Sequence, residues 1–196
     1  MQKQKTFFII PGFQTQASDE EYSWLVRFLE DRNYLVRCVP ILWSRRTVTQ
    51  NAEEFLQYFE LHKTEENYIL GFSYGAVIAF ITAKKTNPEK LFLCSLSPDF
   101  SEDSESMPIF IRKYIGARRY VDTKTRSARA IAKKLKTPTV IFYGEKEGAM
   151  YPPLIKRAKE THEFAQNAKL VLVPEAPHEI DFPTYQDAIK SELLTL

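Results

Sequence analysis

The chain has 196 residues and a formal net charge of +2, with 44% hydrophobic and 27% charged residues. That length makes one domain with room for a substantial core, and the near-neutral balance makes no general case for binding nucleic acid or a charged membrane surface. The two cysteines, Cys38 and Cys94, each lie in an apolar strand-like run and read as small buried hydrophobes of a reducing compartment, not as a disulfide framework. In chain order, Thr6 to Ile10 is a continuous apolar run ended by Pro11-Gly12, the mark of a strand buried on both faces. The run is too short for a signal-peptide core or a bilayer span, so the expected location is cytoplasmic. Ser18-Asp19-Glu20-Glu21 predicts the cap of a helix that buries Tyr22, Leu25, Val26, Phe28 and Leu29. Tyr34 to Val39 predicts a second strand, and 48–62 a helix carrying Phe55, Leu56, Tyr58 and Phe59. Tyr68 to Leu70, Leu91 to Leu96, Thr139 to Tyr143 and Leu170 to Val173 predict four more strands. Helices are expected directly after Gly75, over about 152–167, and from about Thr184 to the end.

Strands alternating with helices predict an α/β protein, a three-layer α/β/α sandwich around a six-stranded parallel sheet. Ligands bind such sheets at the carboxyl ends of the strands. Of the six glycines, all but Gly116 lie at or just beyond a predicted strand's carboxyl end. One stretch breaks the alternation. Ser97 to about Lys136 is far longer than a single crossover requires; it opens acidic (Asp99, Glu102, Asp103, Glu105) and then turns basic from Arg112 to Lys136. Helices are expected in it near 109–114 and 127–136. The part over about 98–126 reads as a small lid-like insertion in the one domain spanning 1–196.

The chemistry is concentrated at Gly71-Phe72-Ser73-Tyr74-Gly75. An apolar strand precedes it and Ala76-Val77-Ile78-Ala79-Phe80 follows as a buried helix. A serine in that tight turn is lifted clear of the sheet, with glycines where a Cβ would collide. A serine hydroxyl is a poor nucleophile and needs a general base. Of the three histidines, His62 and His162 fall in helices, whereas His178 follows the sixth strand, on the same sheet edge as Ser73. The base in turn needs a carboxylate, and Gly144-Glu145-Lys146-Glu147-Gly148 leaves the fifth strand on that edge.

With these residues in the order Ser, acid, His, the chain resembles the α/β-hydrolase fold family in a minimal form. The resemblance covers nearly the whole chain and implies the strand order 2-1-3-4-5-6. It places the triad acid at Glu147, where many members carry aspartate, with Asp99 and Glu145 as alternatives. It also implies an oxyanion hole of two backbone N–H groups, those of Tyr74 and Phe13, the latter in the loop Pro11-Gly12-Phe13-Gln14. The implied activity is a serine hydrolase that cleaves an ester or thioester through an acyl-enzyme on Ser73, with no cofactor and no metal. The alternative is a non-catalytic binding module on the same fold. If the basic stretch borders the site mouth, it favours anionic thioesters such as an acyl-CoA or an acyl-carrier protein; the bland reading is a solvated helix face.

Overall fold

A computed structural model describes residues 3–196. Its elements run β1 (Lys5–Ile10), a single 3-10 turn (Glu20–Tyr22), α1 (Ser23–Glu30), β2 (Leu35–Cys38), α2 (Val48–His62), β3 (Glu66–Phe72), α3 (Tyr74–Thr86) and β4 (Lys90–Cys94). They continue with α4 (Ser101–Ser104), α5 (Ile109–Ile115), α6 (Ala117–Thr123), α7 (Ala128–Ala132), β5 (Thr139–Gly144), α8 (Glu147–Met150), α9 (Pro153–Phe164), β6 (Ala168–Val173) and α10 (Pro183–Leu193). The six strands form one sheet in the order β2-β1-β3-β4-β5-β6, every neighbouring pair parallel.

The sheet separates two apolar cores, and strand alternation feeds both. Phe8, Ile10, Ile69, Leu91, Leu93 and Ile141 face a core shared with α2, α3, α7 and α9. Phe7, Ile9, Leu70, Phe92, Val140 and Phe142 face the other, which α1 and α10 cover. That is why the inner strands read as unbroken apolar runs. β2 and β6 lie at the edges and are only partly buried.

Two expectations about helix limits are corrected. The first helix begins later than its acidic cap signal implied. The Asp19 carboxylate accepts a hydrogen bond from the upstream Gln16 N–H at 2.7 Å and makes none to the helix, so the chain takes a 3-10 turn before α1 starts at Ser23. Tyr22 and Leu25 and Leu29 are buried as expected, whereas Val26 and Phe28 are only partly so. The helix expected over 152–167 ends at Phe164.

The β4–β5 connection contains four short helices where the sequence predicted two. Phe100, Ala128, Ala132 and Leu135 pack it into the apolar core, and charged side chains fix it further. Arg157 of α9, 1% exposed, grips Asp103 of α4 with Nη2 at 2.6 Å and Nε at 3.1 Å. Glu102 accepts from Ser127 Oγ at 2.6 Å and from the Ala128 and Arg129 N–H groups at 3.1 Å, capping α7. Asp122 accepts from Thr49 Oγ1 at 2.6 Å at the start of α2 and pairs with Arg126 at 2.8 Å.

Candidate active site

Ser73 stands between β3 and α3 with φ 54° and ψ −115°. A non-glycine residue in that region is strained, by about 1–3 kcal/mol, and persists only where its surroundings hold it. Here the Ser73 N–H donates to Cys94 O at 2.8 Å, and the Ala76 N–H donates to Ser73 O at 3.1 Å. The flanking glycines are sterically required. A Cβ on Gly71 would meet Gly75 O at 2.3 Å, and one on Gly75 would meet Ile10 O at 2.3 Å. The second contact lies outside the elbow itself: Gly75 lets α3 pack against the exit of β1, which brings the Pro11–Phe13 loop up to the serine.

The structure brings Ser73, His178 and Glu147 together. His178 Nε2 lies 2.9 Å from Ser73 Oγ, and His178 Nδ1 lies 3.1 Å from Glu147 Oε1. A carboxylate can only accept, so Nδ1 carries the proton and Nε2 faces the serine hydroxyl as an acceptor. Phe72 packs on the His178 ring with centroids 5.0 Å apart. Glu147 is fully buried at the first turn of α8. The other carboxylates expected at this edge go elsewhere. Glu145 Oε2 accepts the Glu175 N–H at 2.9 Å on the surface. Asp99 is buried but makes no bond to His178. Of the remaining histidines, His62 bonds Tyr58 O at 2.7 Å in α2, and His162 lies in the last turn of α9.

Three polar partners escaped the sequence reading. Ser95 Oγ donates to the same Glu147 oxygen that faces His178, and Tyr185 OH lies 2.7 Å from Ser95 Oγ. The other oxygen, Glu147 Oε2, is buried without a partner among the described residues. Ser97 Oγ lies 3.2 Å from Ser73 Oγ. Ser95 had a signal: it is a lone hydroxyl interrupting an apolar strand run at the ligand-binding edge, and it takes φ 53° there. Tyr185 had none, because nothing in a helical segment ninety residues away marks its reach.

The loop after β1 abuts the elbow. A Cβ on Gly12 would come 3.7 Å from Ser73 Cβ, and the Gly12 N–H donates to Tyr22 OH at 2.8 Å. The N–H groups of Phe13 and Tyr74 donate to no protein acceptor among the described residues. The Phe13 ring is held edge-on to Trp43 and Tyr114, at 5.6 and 5.3 Å, under the Arg119 guanidinium. Over Ser73 opens a cavity of about 460 Å³, walled by Phe13, Met107, Ile111, Ile115 and Leu154 among others. A second depression, of about 750 Å³ between Lys5, Arg32 and Leu194, lies at the opposite edge of the sheet and holds none of these groups.

Several arginines of the basic stretch bond acceptors of this chain, while Lys113, Lys134 and Lys136 lie exposed. Arg112 donates to Met107 O and Glu105 O, Arg119 to Trp43 O and Ile115 O, and Arg126 to Asp122 and Asp99 O. Lys124 lies over the Tyr120 ring, and Arg129 and Lys133 lie over Phe164.

A parallel sheet in this order, with a strained serine after β3 and a histidine after β6, is the α/β-hydrolase fold. Solved structures agree. Est1E from Butyrivibrio proteoclasticus matches with a TM-score of 0.81 at 16% identity, over 98% of this chain and 88% of that one. The α/β-hydrolase domain-containing protein 10 from mouse matches with a TM-score of 0.79 at 11% identity, over 97% and 88%. An esterase from Exiguobacterium antarcticum matches with a TM-score of 0.75 at 13% identity, over 100% and 92%. No protein-family model matches the chain, and no curated protein matches it in sequence. At these identities the likeness is one of fold. No helix among the described residues is long and apolar enough to cross a membrane.

Proposed function

We propose that the protein is a serine hydrolase that cleaves an ester or thioester through an acyl-enzyme on Ser73. The observation that carries this reading is the continuous chain from Ser73 Oγ through His178 to the buried Glu147 carboxylate. Ser73 Oγ attacks the substrate carbonyl carbon while His178 Nε2 takes its proton. Glu147 stabilises the imidazolium and holds the ring in its reactive tautomer. The tetrahedral oxyanion is met by the Phe13 and Tyr74 N–H groups, each worth roughly 3 kcal/mol in such sites. His178 then protonates the departing alkoxide or thiolate as the carbon–oxygen or carbon–sulfur bond breaks, leaving Ser73 acylated. Water repeats the sequence from the same side, and the carboxylic acid leaves with Ser73 restored.

The apolar cavity supports an acyl-bearing small molecule as substrate. An acyl-CoA or acyl-carrier protein draws less support, because Arg112, Arg119 and Arg126 already bond acceptors of this chain. A fluorophosphonate probe tests the reading directly. It should label the wild type and leave Ser73→Ala unlabelled, with hydrolysis of p-nitrophenyl esters lost in parallel. An unlabelled wild type that turns over no ester would instead favour a binding module.

A further inference from the structure

Among the polar residues of the cavity wall, two are buried, lack a side-chain partner and take no part through their side chains in the hydrolytic steps. Asp99 borders the cavity, is 6% exposed, and offers carboxylate oxygens that accept no hydrogen bond from any described residue. Only its backbone is engaged: its N–H donates to Ser97 O at 2.9 Å and its carbonyl accepts from Arg126 Nε at 3.3 Å. Tyr74 borders the same cavity and is 2% exposed, and its hydroxyl is buried without a partner. A buried polar group left unpaired costs about 1–3 kcal/mol. Two of them bordering one cavity are relieved together by a ligand that presents a hydrogen-bonding group there.

We infer that Asp99 and Tyr74 form a subsite for a hydroxyl group of the ester or thioester substrate. The inference rests on the hydrolase reading of Ser73 and adds to it the class of substrate. A hydroxyl fits both partners, donating to the Asp99 carboxyl and accepting from the Tyr74 hydroxyl. An ammonium fits less well. Arg126 and Arg119 act on Asp99 as nearby positive charges, alongside the acidic Asp103 and Asp122, and burial is the largest influence, pushing the carboxyl up to about 7. A group so close to neutral suits a neutral partner. The hydroxyl lies close to the scissile bond. Ser97 touches Ser73, and Asp99 is two residues further on, at most about 7 Å of chain.

Two pairs of esters test this and separate the two places a substrate hydroxyl can sit. On the acyl side, p-nitrophenyl β-hydroxybutanoate is compared with p-nitrophenyl butanoate. On the alcohol side, hydroxyethyl butanoate is compared with ethyl butanoate. The expected result is a kcat/KM preference for the hydroxylated ester of about tenfold or more in one pair. The preference should vanish in Asp99→Leu and shrink in Tyr74→Phe, which keeps the ring and its backbone N–H. Tyr74→Phe decides the matter if Asp99→Leu does not fold. No preference in either pair, or a preference unchanged by the substitutions, overturns the subsite. If those same samples still react with fluorophosphonate and hydrolyse the plain esters, the subsite alone has failed. If no ester is turned over and no label is taken up, the hydrolase reading has failed and the subsite falls with it.

Discussion

The sheet body and the β4–β5 connection are held by different mixtures of apolar and polar contacts. The body is a stack of apolar faces: the inner strands and α3 bury nearly every side chain, and Phe8, Phe55 and Phe59 pack ring against ring. The connection buries Leu96, Phe100, Leu135 and the alanines of α7 in the core, but leaves Ile109, Phe110, Tyr114 and Val121 more than half exposed. Polar contacts add to that burial: Asp103 to Arg157 and Asp122 to Thr49 join it to the body, and Glu102 caps its own α7. Burial of apolar area is non-directional and sums over many residues. Buried ion pairs and caps act at single points and fail singly. The comparison teaches that the walls of one cavity have unequal tolerance. The serine side is continuous with the body, whereas the Met107–Ile115 side also relies on a few charges.

The largest effect should come from the body. Glu147→Gln, which spares the packing and removes the charge, should lower kcat by about ten-thousand-fold while leaving thermal stability near wild type. A loss under tenfold would mean that Glu147 is not the group that orients His178. Next, Arg157→Ala leaves Asp103 buried and unpaired, and should destabilise the protein by about 3–5 kcal/mol in urea melts. The double variant Arg157→Met with Asp103→Leu should recover most of that, because the cost is of an unpaired charge and not of lost area. No recovery would place the attachment in packing and erase the contrast between the regions.

Ser95→Ala sharpens the body side. It removes one of the two donors on Glu147 Oε1, so kcat should fall about tenfold with KM little changed. A KM effect alone would assign Ser95 to substrate binding instead. The pH dependence of stability distinguishes two acids of the connection. Burial works against ionised Glu102, but hydrogen bonds from Ser127, Arg129 and Ala128 outweigh it and bring its carboxyl to about 2. A lowered acid contributes stability present above the unfolded value near 4.5 and lost as pH falls through about 2. Asp99 has the opposite sign. Its carboxyl, raised to about 7, costs stability as pH rises from about 4 to 7, with Arg126 and Arg119 moderating the cost and Asp103 and Asp122 adding to it. Asp99→Asn should therefore be most stabilising, relative to wild type, above pH 7. A variant-to-wild-type difference flat with pH would remove Asp99 as the source.

The smallest effect concerns the basic stretch. Because Arg112, Arg119 and Arg126 are engaged internally, raising the salt concentration should slow hydrolysis of an acyl-CoA no more than that of a neutral short-chain ester. A selective loss with the acyl-CoA would restore the stretch as a surface for anionic substrates.

Local pattern was enough for the body. Continuous apolar runs located the inner strands, and Gly71 and Gly75 around Ser73 marked the elbow, because each reflects a constraint felt within a few residues. His178 was legible for the same reason: only one histidine follows a strand at the ligand-binding edge. The sequence left the triad acid divided among Glu147, Asp99 and Glu145, since all three leave strands on that edge and spacing does not say which way a side chain turns. Only the tertiary structure shows how they turn: Glu147 is buried against His178 and Ser95, Glu145 points outward, and Asp99 lies on the cavity wall. It also decided where the charges of the connection go. Asp103 and Arg157 are fifty-four residues apart, and nothing local records that pairing. Apolar burial leaves its periodicity in the chain; a polar contact between distant segments depends on the packing that brings them together, and leaves none.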